Sequence, residues 1–227
     1  MKKRDIVTES PGAVPAAATP EPERPFKPLI AATFLIAAAA APQLPPTGPA
    51  EVAFAGRSNA GKSSAINALA RQTRLAFASR TPGRTQQIVF FDLARGGRIA
   101  DLPGYGYAAV PREIKRGWQQ FLWDYLTTRS TLVGLVLVVD ARHGLKDMDY
   151  TVLDGFLPSG RPVLILATKS DKLNRAERRD AHAAVRADVD ARYPHAAAAV
   201  TVVEFSAASR DGVEAADAVL AEWLPRV

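Results

Sequence analysis

The sequence contains no cysteine, and this absence excludes both a disulfide framework and a metal site built from cysteine ligands. A chain without cysteine suits a reducing compartment, so we expect a cytoplasmic protein. No internal repeat is visible either, and we expect one domain with appendages rather than a repeat array.

Apolar runs long enough to cross a membrane are also missing. The main candidate, LIAATFLIAAAAA at 29–41, is too short to span a bilayer. After the basic start MKKR it imitates a secretory signal, but it begins nearly thirty residues into the chain and follows prolines and glutamates. We therefore expect no stable membrane insertion, and we expect this run to dock on the domain as a strand or a helix.

The amino-terminal 28 residues differ in composition from the rest of the chain. The stretch TESPGAVPAAATPEPERP is rich in Pro, Ala and Glu and lacks the apolar periodicity of a packed element. We predict a flexible tail at 1–28 and one domain at 29–227, for which a hydrophobic content of 48% is sufficient.

The net charge of the chain is +6 and its pI is about 9.8. Such a balance suits a polyanionic partner such as RNA. A generally basic composition without any such partner explains the charge equally well, so the charge alone leaves both interpretations open.

From residue 51 onward, apolar runs alternate with helical stretches, as in a sheet covered by helices on both faces. We predict strands at 51–55, 88–94, 98–101, 132–139, 162–167 and 200–205, and helices near 62–70, 111–129, 146–157, 174–192 and 211–224. The short Gly-containing link at 95–97 indicates a hairpin. The fold class is therefore α/β, a three-layer sandwich with a mostly parallel six-stranded sheet and one antiparallel edge strand.

The most informative motif is AGRSNAGKSSA at 55–65, which contains the spacing G-x-x-x-x-G-K-S between a predicted strand and a predicted helix. Glycines let backbone N–H groups turn around an anion, and the helix adds the positive end of its dipole. Lys62 supplies a mobile positive charge, and the Ser63 hydroxyl is a ligand for Mg²⁺. This context predicts a phosphate loop that binds a nucleoside triphosphate.

Three further signals follow predicted strands, where ligands of such sheets bind. In DLPG, Asp101 can hold the Mg²⁺ shell through water and the Gly104 N–H can approach the γ-phosphate. In TKSDK, the Asp171 carboxylate can accept both N1–H and N2–H of guanine, while the stem of Lys169 covers the base. In SAAS, the N–H groups of residues 206 and 207 can meet the guanine O6.

Taken singly, these signals have ordinary explanations, such as a helix cap at Asp171 or a strand-end turn at Asp101. Their order along the chain favours function, because one phosphate signal, one magnesium signal and two base signals stand at the ends of four predicted strands. The sequence therefore predicts a guanine-nucleotide-binding domain of the P-loop NTPase class with a Ras-like sheet.

The pieces GRSNAGKSS, TPGRTQ, DLPGYGYA, TKSDK and FSAAS together resemble the EngB/YsxC family of ribosome-biogenesis GTPases, one of the TrmE-Era-EngA-EngB-Septin-like groups. The resemblance runs from about Phe34 to Trp223. It implies a GTPase that binds GTP or GDP with Mg²⁺, associates with the large ribosomal subunit through rRNA and ribosomal protein, and is linked to cell division and septation. We also expect a monomer.

The resemblance implies a set of nucleotide-binding residues and a smaller set with special roles. Ser63 and Thr85 would hold the metal, and Lys62, Asn59 and Gly104 would serve hydrolysis. The expected nucleotide-binding residues are Gly56, Arg57, Ser58, Asn59, Ala60, Gly61, Lys62, Ser63, Gly83, Arg84, Thr85, Gln86, Gln87, Asp101, Leu102, Pro103, Gly104, Thr168, Lys169, Ser170, Asp171, Phe205, Ser206 and Ala207.

Two positions depart from a generic GTPase. Thr168 stands where N-K-x-D has asparagine, which removes an amide that would tie the base loop to the phosphate loop, so we expect modest nucleotide affinity. Tyr105 follows the glycine of D-x-x-G, and a tyrosine pointing away cannot orient the attacking water as a glutamine does. Intrinsic hydrolysis should therefore be slow.

Asn59 resembles the asparagine of potassium-activated GTPases, so K⁺ beside the phosphates is one hypothesis; a simple capping role in the loop is the alternative. Arg84 is more suited to a phosphate or RNA contact than to catalysis. The stretch GYGYAAVPREIKRGW joins small and aromatic residues to Arg112, Lys115 and Arg116, as a surface that reads ribosomal RNA or protein would. A solvated basic helix face with Trp118 in the core explains it as well.

Two other functions remain open at this stage. A P-loop phosphotransferase would need an acceptor pocket and a lid, for which no sequence signal is present, and it would not explain TKSDK. A nucleotide-dependent module at the membrane or septum is suggested by the apolar run LIAATFLI.

Overall fold

The computed structural model describes residues 26–77, 87–106 and 112–224, with only the backbone described at 112–119. The strands are β1 Thr33–Ala38, β2 Glu51–Gly56, β3 Ile88–Asp92, β4 Arg98–Asp101, β5 Leu132–Asp140, β6 Val163–Thr168 and β7 Val200–Glu204. The helices are α1 Lys62–Leu69, α2 Arg112–Thr128, α3 Asp147–Phe156, α4 Arg175–Arg192 and α5 Val213–Trp223.

The strands form one sheet in the order β1-β3-β4-β2-β5-β6-β7. Strands β4, β2, β5, β6 and β7 are parallel, and β3 is antiparallel to β4 across the predicted hairpin. The α/β fold class is thus confirmed, and helices cover both faces of a mostly parallel sheet.

The expected count of six strands is wrong, because the apolar run at 29–41 contributes a seventh. Strand β1 pairs antiparallel with β3 along Thr33–Ala38, and the ring of Phe34 meets that of Phe91 edge-on at 6.4 Å. The docking predicted for this run therefore takes the form of an edge strand, and the antiparallel β3 lies inside the sheet. The predicted tail at 1–28 lies outside the described residues as far as 25, whereas Phe26 is buried.

Two apolar clusters fill the space between the sheet and its helices. On one face, α1 and α5 contribute buried residues such as Ile66 and Leu220. On the other face, α2, α3 and α4 contribute residues such as Leu126, Phe156 and Val189. Successive residues of β5 alternate between the two clusters, as a strand buried on both faces requires. This three-layer packing leaves the two ends of the sheet for polar groups.

Candidate functional site

The phosphate loop follows β2, whose six residues are all buried. At Gly56 a Cβ atom would lie 2.6 Å from the Val138 carbonyl oxygen, so a side chain there would collide with β5. The backbone then turns through left-handed conformations at Asn59 (φ 66°) and Gly61 (φ 98°) before α1 begins at Lys62. The strand, loop and helix that the motif predicts are therefore present, with the amino end of α1 directed at the loop.

At the end of β4, Asp101 forms an ion pair with Lys62, and both side chains are about 11% exposed. Strand β4 pairs with β2 so that Asp101 stands opposite Phe54, which brings the carboxylate next to the phosphate loop. The structure thus places the two groups predicted for the phosphates and the Mg²⁺ shell side by side.

The segment after β4 runs beside the phosphate loop. The Leu102 N–H donates to Phe54 O at 2.9 Å, and the Ser58 N–H donates to Tyr105 O at 2.9 Å. At Gly104 a Cβ atom would lie 2.9 Å from Ser58 Oγ and 3.2 Å from the Ser58 N, so any side chain there would push against the phosphate loop. Gly104, with Leu102 and Pro103 before it, therefore lies against the loop as the sequence predicts.

The Tyr105 side chain points away from the phosphate loop toward α3. Its hydroxyl donates to Asp149 Oδ1 at 2.6 Å. Burial, with the negative charge of Asp149 and the hydrogen bond to it, raises the pKa of Tyr105 far above its usual range, so the phenol keeps its proton. This side chain is held in place by α3 and cannot orient a water molecule as a glutamine would.

Thr168 corrects one expectation drawn from the sequence. Thr168 is only 3% exposed. Its hydroxyl lies within hydrogen-bond distance of Ala60 O in the phosphate loop and 3.0 Å from Val139 O. The hydroxyl therefore links the base loop to the phosphate loop, as the asparagine amide would have done. The expectation of modest nucleotide affinity assumed that this link is missing, and the structure does not support that assumption.

Lys169 adds a second connection between the same two loops. Its ammonium donates to Asn59 O at 2.6 Å and lies 3.0 Å from Asp140 Oδ2. Asp140 also accepts from Arg142 Nε and Nη2, at 2.9 and 2.7 Å. Although burial alone would raise the pKa of Asp140, the hydrogen bonds from Arg142 and Lys169 hold it well below its usual range. The carboxylate is therefore ionised and anchors the stem that is predicted to cover the base.

Asp171 is oriented by the loop after β7. The Ser206 hydroxyl donates to Asp171 Oδ1 at 2.8 Å and accepts the N–H groups of residues 208 and 209 at 3.2 and 3.1 Å. Chiefly through the Ser206 hydrogen bond, the pKa of Asp171 lies below its usual range. An ionised, oriented carboxylate is what the guanine N1–H and N2–H pair requires.

One of the two N–H groups assigned to guanine O6 is engaged elsewhere. The Ser206 N–H donates to Asp211 O at 3.0 Å, because the chain after β7 folds back on itself before α5. The contact with guanine O6 is therefore a prediction for the Ala207 N–H alone, while Ser206 orients Asp171 through its hydroxyl. Ser170 joins the same corner, since its N–H donates to the carbonyl of the buried Phe205 at 3.2 Å.

Several predicted residues cannot be placed. Gly83, Arg84, Thr85 and Gln86 lie outside the described residues, and Gln87 is an exposed residue directly before β3. The side chains of Arg112, Lys115, Arg116 and Trp118 lie outside the described part as well, although α2 begins at Arg112.

Sequence reasoning missed a cleft of about 230 Å³ beside the phosphate loop. Its lining includes Arg57, Asp140, Arg142 and Asp149. Asp140 could have been found, because it directly follows an apolar strand as the other site residues do. Asp149 has no such signal, because it lies inside α3.

The residues present fit Mg²⁺ by the chemistry of their donors. The Ser63 hydroxyl is a hard oxygen donor of the kind that Mg²⁺ prefers, and the Asp101 carboxylate, paired with Lys62, could hold a magnesium-bound water. Across the described ranges, no cluster of three or more His, Cys, Asp or Glu side chains could hold a metal by itself. A magnesium ion that shares its ligands with the phosphates of a nucleotide suits this sparse donor set. In the part of the chain described here, no helix combines the length and apolar character needed to cross a bilayer.

The comparisons with known proteins agree with this geometry. Residues 51–169 match a family model described as a 50S ribosome-binding GTPase. A probable GTP-binding protein EngB of Azoarcus sp. (strain BH72) is 53% identical over 85% of this chain and 91% of its own length. One from Aromatoleum aromaticum is 51% identical over 85% of this chain and 88% of its own.

Solved structures share the fold at lower identity. The crystal structure of a probable GTP-binding protein EngB matches with a TM-score of 0.60 at 21% identity, over 76% of this chain and 97% of its own. Era in complex with MgGDPNP and a segment of 16S ribosomal RNA matches with a TM-score of 0.60 at 20% identity, over 78% of this chain and 57% of its own. The matched residues include the phosphate loop. These sequence matches show that the chain is a GTP-hydrolysing enzyme and belongs to the EngB family of GTP-binding proteins.

Proposed function

We propose that the protein is a slow GTPase switch that acts in assembly of the large ribosomal subunit and is linked in this way to cell division and septation. The observation that carries the proposal is the match of residues 51–169, from β2 to the base loop, to the family described as 50S ribosome-binding GTPases. The net charge of +6 supports an RNA-rich partner. Membership of a GTPase family argues against the phosphotransferase alternative.

In the proposed chemistry, water attacks the γ-phosphorus in line and GDP leaves, without a protein side chain acting as base. Lys62 and the N–H groups of the phosphate loop would stabilise the charge on the phosphates. Mg²⁺, held by Ser63 and Thr85, would neutralise part of that charge. The part-buried ion pair of Lys62 with Asp101 supports this assignment, because it places a cation for the phosphates next to a carboxylate that could hold a magnesium-bound water.

Guanine selection would fall to Asp171, with Lys169 across the base and the Ala207 N–H at O6. The support is the Ser206 hydroxyl, which fixes one oxygen of Asp171 at 2.8 Å. Adenine lacks the pair of donors that a carboxylate in this position accepts.

The switch itself would consist of the loops that contain Thr85 and Gly104. GTP would order both through its third phosphate, and hydrolysis would release them. The segment from Gly104 to Trp118, whose last seven residues belong to α2, would present the changed surface to the ribosome. Asn59, in the exposed left-handed turn of the phosphate loop, is proposed to help hold K⁺ beside the phosphates.

Cosedimentation tests the ribosomal partner. The protein is spun with large ribosomal subunits, or with lipid vesicles, in a non-hydrolysable GTP analogue and in GDP. We expect pelleting with large subunits that is stronger with the GTP analogue, and none with vesicles. Binding to vesicles alone would instead favour a membrane or septum module that uses the exposed side chains of β1, of which Phe34 is 64% exposed. Sedimentation equilibrium of the free protein checks the proposed monomer.

A further inference from the structure

Tyr105 connects the segment after β4 with two other parts of the site. Its N–H donates to Gly56 O at 3.3 Å and its carbonyl accepts from the Ser58 N–H at 2.9 Å, so its backbone is paired with the phosphate loop. Its hydroxyl donates to Asp149 of α3 at 2.6 Å. One residue thus joins the segment after β4, the phosphate loop and a helix that carries no nucleotide motif.

The acceptor of this hydrogen bond is itself fixed. Asp149 is 1% exposed and is the third residue of α3, where its other carboxylate oxygen accepts the Lys146 N–H at 2.9 Å. This second bond is half of a capping box at the amino end of the helix. The carboxylate therefore cannot rotate without uncapping α3, and it holds the phenol in one direction.

Gly104, directly before Tyr105, packs closely against the phosphate loop. Its Cα lies so close to Ser58 that an added Cβ would stand 3.2 Å from the Ser58 N and 2.9 Å from Oγ. The peptide that links Gly104 to Tyr105 is rigid and keeps their Cα atoms at a fixed distance of about 3.8 Å, so the place of Gly104 beside the phosphate loop depends on where Tyr105 is anchored.

We propose that Tyr105 and Asp149 are positioning residues that hold the Gly104 N–H ready for the third phosphate, so that preference for GTP over GDP depends on their hydrogen bond. The inference rests on the role of Gly104 in the function proposed above. GDP lacks the third phosphate, so its affinity should not depend on this hydrogen bond. A hydrogen bond to a carboxylate that is buried in the site should change GTP affinity by about threefold to tenfold.

The first test uses Tyr105→Phe, which removes the hydroxyl and keeps the ring. Affinities for a non-hydrolysable GTP analogue and for GDP are measured by calorimetry, and the melting temperature is measured beside them. We expect the affinity for the analogue to fall by about threefold to tenfold while that for GDP stays unchanged. Tyr150→Phe is the matched control, because the Tyr150 hydroxyl donates to Asp188 at 3.1 Å from the next position of α3, away from the phosphate loop.

The second test changes the acceptor, and it serves as well if Tyr105→Phe does not fold. Asp149→Ala removes the acceptor and should reproduce the selective loss of GTP analogue affinity. Asp149→Asn should retain most of the affinity, because an amide can accept the Lys146 N–H and donate to the Tyr105 oxygen. A purely structural role predicts that the affinities for both nucleotides follow the melting temperature across these variants.

Equal losses of GTP analogue and GDP affinity in Tyr105→Phe or Asp149→Ala would overturn the inference. Gly104→Ala keeps the N–H but shifts the backbone that carries it, because the added Cβ would lie 2.9 Å from Ser58 Oγ and 3.2 Å from Ser58 N. This variant separates the result from a failure of the proposed function. If Gly104→Ala abolishes the preference for the analogue and Tyr105→Phe does not, the positioning role is wrong and the role of Gly104 stands. If Gly104→Ala leaves the preference intact, the proposed role of Gly104 fails and the inference fails with it.

Discussion

The two ends of the parallel strands hold their charged side chains in different ways. At the amino end, the carboxylate of the fully buried Glu51 accepts from Arg129 at 2.6 and 3.0 Å and from Tyr125 at 3.0 Å, with Arg98 at 3.5 Å. At the carboxyl end, Asp101 pairs with Lys62 and Asp140 pairs with Lys169. The charged groups at the amino end contact one another. At the carboxyl end, by contrast, both lysines belong to motifs that are predicted to bind a nucleotide.

The two ends of the sheet therefore have different roles. The charged groups at the amino end stabilise the fold, and those at the carboxyl end can exchange their partners for a ligand. The amino-end cluster joins the first residue of β2 to the end of α2, where the carbonyls of Leu126 and Thr127 also accept from the Arg161 guanidinium at 3.0 and 3.3 Å. A buried carboxylate with several fixed donors is costly to leave without partners. The carboxyl end carries its charges on the last residues of β4 and β5, on the first residue of α1 and in the base loop. There a phosphate or a base can exchange with an internal partner at lower cost.

Glu51→Ala should produce the largest effect on folding. It leaves Arg129 and Arg98 without their buried carboxylate, so we expect the free energy of unfolding to fall by about 3–5 kcal/mol in a urea titration. Nucleotide affinity of the folded fraction should not change. Asp154→Ala, which breaks the surface pair with Arg192 at 3.0 Å, is the control and should cost far less. Similar losses in both variants would contradict the proposed division between the two ends.

Asp171→Asn should produce the largest effect on binding. Two hydrogen bonds from guanine to an ionised carboxylate are replaced, so GTP affinity should fall on the order of a hundredfold. Xanthine nucleotides, whose 2-oxo group replaces the donor amine, should gain affinity. A competition titration of GTP, ATP and XTP measures both changes, and equal affinity of the wild type for ATP and GTP would contradict the guanine assignment.

Thr168→Val should weaken nucleotide binding by about tenfold, because the tie to Ala60 O is lost and the buried carbonyl is left without that donor. The loss should be the same for GTP and GDP, since the loop that cradles the phosphates is affected as a whole. Thr168→Ser keeps the hydroxyl and should retain most of the affinity. Unchanged affinity in the valine variant would mean that the tie contributes little.

The smallest expected effect concerns Asn59 and the monovalent cation. If Asn59 helps hold K⁺, hydrolysis should rise severalfold when Na⁺ is replaced by K⁺ at constant ionic strength, where screening is held fixed. Asn59→Ala should lose this difference and still bind GTP. Steady-state phosphate release, with and without large ribosomal subunits, measures the effect. Equal rates in the two salts would leave the ribosome as the activator.

The order and kind of most elements could be predicted because their signals are local. The helix predicted at 174–192 is observed as Arg175–Arg192, with Asn174 as a cap whose side chain accepts the N–H groups of residues 176 and 177. The phosphate loop also follows from local spacing, since Gly56 lies too close to β5 for a side chain and Gly61 has a left-handed backbone. In these segments, the conformation is determined by residues that are close together in the chain.

The place of β1 at the edge of the sheet could not be predicted, because strand pairing depends on which strand edge the rest of the fold leaves unpaired. The run at 33–38 is apolar and long enough for a strand, but nothing in it specifies β3 as its partner. Once the hairpin of β3 and β4 has formed, β3 presents one unpaired edge, and β1 pairs with it. The sheet gains a seventh strand from a segment that the sequence alone leaves free to be a strand or a helix.

By itself, the sequence determined the α/β class, the phosphate loop and the alignment of polar groups at strand ends, because each depends on residues that are neighbours in the chain. Only the tertiary structure decided how those groups are held. Thr168 meets Ala60 across 108 positions, and Tyr105 meets Asp149 across 44. Such contacts cannot be recognised from the neighbouring residues in the chain. A hydroxyl forms a hydrogen bond to a distant acceptor only when packing of the sheet brings that acceptor within about 3 Å of it.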